Sequence, residues 1–249
     1  MGEVVAKQQN QIVSMNEFAD IAADFHVDKS DILIPKILLM QPSSDMVNEE
    51  KASLGDFRNS VTGAKVGSIA EPFSFIPFMY KKTWDIVNAD DNNTWVRSEP
   101  FNPGDENLPW EFVENAVNMK RIKRLDFYGF EPKSLEQGNI LPMVLSFKST
   151  GYREGMKILT QFQINVSTKR LPWSHVYSIA GSKLKNEKNQ TYCVPKVDIA
   201  GETNEENLKL CYEWYKNMKT LSVRVDESDN QGPETVINQE DVIDNTGKF

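Results

Sequence analysis

The residues of this chain best suited to chemistry are cations set among aromatics. The stretch KRIKRLDFYGF places Lys120, Arg121, Lys123 and Arg124 beside Phe127, Tyr128 and Phe130. The pairing returns in FKSTGYREGMK, with Lys148, Tyr152, Arg153 and Lys157, and in TKRLPWSHVY, with Lys169, Arg170, Trp173 and Tyr177. GSKLKNEK then adds Lys183, Lys185 and Lys188. Single-stranded nucleic acid is bound by this mixture: cations neutralise phosphates, and aromatic faces stack unpaired bases at about 1–3 kcal/mol each. These residues, apart from Phe130 and Lys188, form the candidate DNA-binding set. The competing reading has the aromatics filling a core and the cations coating a solvated face. A solvated face mixes signs, whereas residues 119–200 hold 14 Lys and Arg against 6 Asp and Glu, a net +8. The flanking segments are acidic, −10 over residues 1–118 and −6 over 201–249, so the overall −8 conceals a dipolar chain. Local charge, not the total, decides which polyanion docks.

Catalytic signatures are absent from the sequence. It contains no phosphate-binding P-loop, no Gly-x-Ser-x-Gly elbow and no His-Glu-x-x-His pair. His26 and His175, the only histidines, and Cys193 and Cys211, the only cysteines, follow no common zinc spacing, so neither a metal nor another cofactor is expected. One enzymatic alternative stays open. DFYGFEPK sets Asp126 ahead of Glu131 and Lys133, the residue types of a metal-dependent nuclease, with Pro132 interrupting them. No apolar run approaches the roughly 18–20 residues of a membrane span. MGEVVAKQQNQIV has no apolar signal core, and Ala6 stands where a myristoylation signal needs Ser or Thr, so the expected compartment is the cytoplasm. The two unpatterned cysteines suit that reducing setting.

Positioning these residues falls to a body over residues 1–225, read as one nucleic-acid-binding domain. A 249-residue chain that is 39% hydrophobic can build a substantial core. A helix is expected over 14–25, where Ser14 and Glu17 make a capping box and Met15, Phe18, Ala22 and Phe25 share a face. Another is expected over 203–220, with Thr203 and Glu206 as its box and Leu208, Cys211, Tyr215 and Met218 at helical spacing. Phe112, Val113, Ala116 and Val117 after Pro109 suggest a third. STGYREGMKILTQFQIN suits an amphipathic helix with Met156, Leu159 and Phe162 on one side. FSFIPFMYKKTWDIV suits a strand pair, with Pro77 marking an edge or a bulge. HVYSIAGSKL and QTYCVPKVDI can pair across the polar turn KNEKN. Many short antiparallel strands with three or four helices make the class α+β.

Beyond residue 225 the composition shifts. Residues 226–249 carry seven carboxylates, one lysine and one phenylalanine, too little apolar material to offset the entropy of ordering, so a flexible acidic tail is expected. Its end, QEDVIDNTGKF, sets Glu240, Asp241 and Asp244 ahead of a terminal Phe249. A tethered acidic strand competes with nucleic acid for a basic groove, and an aromatic with its carboxylate can dock in a partner's pocket. The acidic tail ending in Phe and the basic, aromatic body without a catalytic motif resemble single-stranded-DNA-binding proteins of the bacteriophage T7 type. That resemblance implies an OB-like, partly open barrel with added helices. It also implies a non-catalytic role in phage DNA replication or recombination in the host cytoplasm. The acidic tail would then recruit replication or recombination proteins. A homodimer or higher oligomer is compatible with it. Alternatives from other classes are a single-strand annealing protein, the nuclease above, and a virion or scaffold protein.

Overall fold

Strands dominate because the apolar residues come in short β-branched and aromatic runs bounded by turns. The computed structural model describes residues 33–220 and 224–225; the helix expected over 14–25 and the segment 226–249 lie outside the described residues. In chain order come β1 (Leu33–Ile34), β2 (Lys36–Leu39), α1 (Asp45–Asn48), β3 (Phe57–Asn59), β4 (Lys65–Gly67), β5 (Phe73–Asn88), β6 (Thr94–Pro100), β7 (Glu111–Glu114) and β8 (Val117–Phe130). Then follow α2 (Pro132–Glu136), β9 (Met143–Lys148), α3 (Tyr152–Ser167), β10 (His175–Lys185), β11 (Thr191–Glu202), α4 (Glu205–Thr220) and β12 (Arg224–Val225). Ten strands form one sheet in the order β11-β10-β5-β8-β9-β2-β3-β4, with β6 beside β5 and β7 beside β8. β1 and β12 form a separate parallel pair. The protein is α+β.

Both faces of the sheet are buried, which explains apolar runs that do not alternate with polar residues. Successive residues supply opposite cores. Leu125, Phe127, Leu145 and Phe147 join Ile158 and Phe162 of α3, whereas Tyr128, Phe130 and Val144 join Trp173 and Cys211 and Met218 of α4. Close approach of α3 depends on Gly155, where a Cβ would lie 2.9 Å from Phe147 Cβ. The buried stripe of α3 is Gly155, Ile158, Phe162 and Asn165. Met156, expected to face inward, is 40% exposed.

No described pairing joins β4 back to β11, so the sheet is open. The outer edge of β11 is instead occupied by side chains. Gln41 donates through Nε2 to Cys193 O (2.8 Å) and accepts from Cys193 N–H (2.9 Å), and Glu154 accepts from Val197 N–H (2.9 Å). The amide of Gln41 thereby imitates one residue of a neighbouring strand, and the edge is blunted.

Three expectations are corrected. Residues 111–117 are not a helix but the hairpin of β7 and β8, turning at Asn115 and Ala116, both with positive φ. The four apolar residues do not share a helical stripe: Val113 is 68% exposed, while Phe112 packs beside Trp84 and Met119. At α4 the cap lies one residue later than the spacing suggests. Asn204 Oδ1 accepts the Asn207 N–H (2.8 Å), and the Thr203 hydroxyl donates to Trp173 O (2.9 Å). FSFIPFMYKKTWDIV belongs to the single long strand β5, with the bulge at Pro77.

Candidate anion-binding cleft

A cleft opens where two parallel strands part. β2 and β9 pair at only two positions, Lys36 with Val144 and Ile37 with Leu145. Past them β2 continues along β3 and β9 along β8. The space between, about 150 Å³, is closed on the far side by Tyr192 to Pro195 of β11, which Gln41 ties to the end of β2. Ile37, Phe57 and Leu145 supply apolar lining that belongs to the core. Sites that enclose a whole small molecule usually span roughly 300–1,000 Å³. This one suits a group of phosphate size.

Among the described residues its charged lining has one sign. Lys36, Arg124 and Lys148 contribute, along with the hydroxyls of Ser43, Ser146, Ser149, Thr150 and Tyr192, and no described lining residue is acidic. Two of the cations are deeply placed, Lys36 at 5% and Arg124 at 4% exposure. The backbone of Lys36 is clasped by Ser60: the Lys36 N–H donates to Ser60 Oγ (2.9 Å), and Ser60 N–H donates to Lys36 O (2.9 Å). Arg124 is aligned by a buried network. Its Nη1 donates to Asp85 Oδ1 (2.6 Å) and Ser98 Oγ (3.3 Å), and its Nε donates to Asp126 Oδ2 (2.9 Å). Ser98 and Ser146 in turn donate to Asp85 (2.8 Å) and Asp126 (2.6 Å). Charge-assisted bonds of this kind hold a guanidinium rigidly. Lys148 lies directly opposite Arg124 on the neighbouring strand, which puts both cations on one face at the cleft.

The comparisons place the chain among phage proteins. Residues 5–94 and 133–227 match the model of the Pam3 phage gp34-like protein family. The chain belongs to that family. Neither the curated proteins nor the solved structures give a match. Lys36, Gln41, Lys148 and the β11 wall lie within the gp34-like match, whereas Arg124 falls in the unmatched 95–132, which also holds β7, all of β8 and all of β6 but Thr94.

The residues expected to bind DNA are dispersed over this gp34-like fold. Phe127, Tyr128, Trp173 and Tyr177 are at most 3% exposed, so their ring faces pack in the two cores and cannot stack on bases. Tyr152 is half-buried against the α3 core, and burial raises its phenol pKa. Lys120 pairs with Glu111 (3.2 Å), Lys157 with Glu154 (2.6 Å) and Arg170 with Glu202 (2.8 Å). Arg121 lies 3.8 Å above the Phe112 ring and donates to Pro109 O (2.8 Å), while Lys123 sits over Trp84 (5.5 Å) and Phe101 (5.8 Å). Arg153, Lys169, Lys183 and Lys185 are exposed. Of the whole set, the structure brings Arg124 and Lys148 to the cleft. Glu240, Asp241, Asp244 and Phe249 lie outside the described residues.

Lys36 is the functional candidate that the sequence reading passed over. A lysine inside the apolar run ILIPKILLM is the signal that could have found it, since lysine is almost never fully buried unless paired. The carboxylates considered for a nuclease are not brought together. Asp126 is bound to Arg124 and Ser146, while Glu131, which accepts from Ser134 Oγ (2.6 Å), lies five positions further along the chain. At an extended rise that separation is roughly 16 Å, too far to share an ion. Among the described residues no group of three or more His, Cys, Asp and Glu could hold a metal, and no helix is long and apolar enough to cross a membrane.

Proposed function

We propose that this gp34-like phage protein binds single-stranded nucleic acid without catalysis, seating a backbone phosphate in the cleft between β2 and β9. The reading places it in phage DNA replication or recombination, with the acidic C-terminal residues contacting other proteins of that machinery. The observation that carries it is the lining of the cleft: among the described residues, three cations and five hydroxyls, with no carboxylate. The Arg124 guanidinium is fixed in position before any ligand arrives, so its part in binding costs little further ordering. Recession of the site favours a single strand over a duplex. A flexible strand bends a phosphate into a cleft of about 150 Å³, whereas duplex DNA is stiff over roughly 150 base pairs. Exposed cations at Arg153, Lys183 and Lys185 give the strand a basic surround.

Fluorescence anisotropy of labelled oligo-dT with the full-length protein tests this. Binding should weaken as salt rises, with a slope of about −0.7 for each phosphate neutralised. Lys148→Ala should lower the slope by close to one phosphate, and an equal length of duplex should bind more weakly. An absence of binding at low salt ends the proposal. Salt-insensitive binding, or binding untouched by Lys148→Ala, removes the cleft from it.

A further inference from the structure

One wall of the cleft is the start of a helix. Ser149, Thr150 and Gly151, all lining residues, run directly into α3. Gly151 is the N-cap of that helix, and no side chain caps it. The amides of a first turn have no partners within their own helix, and the helix end carries about half a positive charge. Glu154, the acid of this turn, is drawn away from the lining: its Oε2 accepts from the Val197 N–H (2.9 Å) and from Lys157 Nζ (2.6 Å). Gly151 lets the helix end approach the β11 wall, since a Cβ there would lie 3.1 Å from Pro195 Cδ. The helix start, Lys36 of β2 and Arg124 of β8 therefore bound the same small space from three separate elements, and both of those cations are buried.

We infer that the cleft prefers a phosphate monoester, the group at the end of a nucleic-acid strand, over an internal phosphodiester. This rests on the reading of the cleft as a phosphate site and names which phosphate fills it. Shape favours the monoester. β11 closes the far side, so a ligand enters and leaves by one mouth. An internal phosphate must bring two ester arms through that mouth, whereas a terminal one brings a single arm. Hydrogen bonding favours it too. A monoester offers three terminal oxygens and a charge of about −1.5 to −2 near pH 7, against two such oxygens and a single negative charge for a diester. The donors are spread to serve a three-oxygen group: the α3 amides on one wall, the Ser149 and Thr150 hydroxyls leading into them, and the Lys148 ammonium one residue earlier.

Fluorescence anisotropy of the full-length protein tests this with three internally labelled oligo-dT strands of one length, ended in hydroxyls, in a 5′-phosphate or in a 3′-phosphate. At least one phosphorylated strand should bind about tenfold more tightly than the hydroxyl-ended strand, the gain expected from one further charge-assisted hydrogen bond. The strand that gains assigns the polarity. Thr150→Asp sets a carboxylate beside the helix start, a placement that stabilises a helix. It should erase the difference between strands while leaving the melting temperature at or above that of the parent. Equal affinity for all three strands overturns the inference, as does a preference that survives Thr150→Asp. Equal affinity that is salt-sensitive and responds to Lys148→Ala overturns the end preference alone and leaves the single-strand reading standing. Thymidine monophosphate that displaces the phosphorylated strand as well as the unlabelled phosphorylated strand does so has the opposite meaning: it upholds the monoester and removes the strand.

Discussion

Replacing Arg124 with methionine isolates what holds the cleft's rigid wall together. The guanidinium is 4% exposed and donates to Asp85 at 2.6 Å and to Asp126 at 2.9 Å, themselves 2% and 5% exposed. Arg124→Met keeps much of the side chain's bulk, so the cavity contribution is small and the electrostatic one dominates. Removing one partner of a buried ion pair costs about 3–5 kcal/mol, and two carboxylates lose their cation here, which places the loss in the upper part of that range. At roughly 2–4 °C for each kcal/mol in a domain of this size, the melting temperature at pH 7 should fall by roughly 8–20 °C. The deficit should shrink on acidification. Stranded buried carboxylates have folded pKa values above their unfolded ones, so the folded variant binds the extra protons and regains stability as pH falls. A companion variant, Asp85→Asn with Arg124→Met and Asp126→Asn, removes the charges together and should recover most of the loss. Calorimetry at pH 7 and at acidic pH decides the matter. A melting temperature for Arg124→Met within about 2 °C of the parent at pH 7 would refute the reasoning, because a central buried cation cannot be removed at so small a cost.

Two further outcomes are expected. Gly129→Ala should destabilise the protein by the upper part of about 1–3 kcal/mol in urea unfolding, because its Cβ would meet Ile76 O at 2.4 Å and Phe75 Cζ at 2.5 Å; a loss under about 0.5 kcal/mol would show that β5 can yield there. His175 is held below its ordinary pKa by burial first and by the charge of Arg170 second, with Glu202 opposing both. Its Nδ1 lies 3.1 Å from Asn165 Nδ2, which also donates to Pro172 O (2.8 Å), so the neutral ring accepts and a protonated ring would set donor against donor. Since the unfolded chain takes up this proton first, stability should decline as pH falls below about 6.5, and an NMR titration of His175 at or above that value contradicts the assignment.

Features governed by local spacing were legible in the sequence. The amphipathic α3 and the hairpin of β10 and β11 follow from period and turn residues alone. The inward stripe of α3 was displaced from Met156 to Gly155 and Ile158 because a small residue was needed where the helix meets Phe147. Residues 112–117 fit a helical period, but pairing of Phe112 with Met119 on β8 overrode it. The basic block was real as composition and misleading as geography. Strand β8 sends Arg124 inward to Asp85 and Asp126 and places Arg121 and Lys123 over aromatic rings, so neighbours in sequence do not form one surface. Its aromatics were needed for a sheet with two buried faces. The cleft depends on where β2 and β9 separate, a long-range property that no local window of sequence contains.

Hydrogen–deuterium exchange of the full-length protein, with and without oligo-dT, tests most directly whether the cleft receives the strand. Added oligo-dT should slow exchange over residues 36–41, 146–151 and 192–195, the three segments that bound the cleft. Protection confined to the outer face of α3 or to the ribbon of β6 and β7, with those three segments unchanged, would contradict the account.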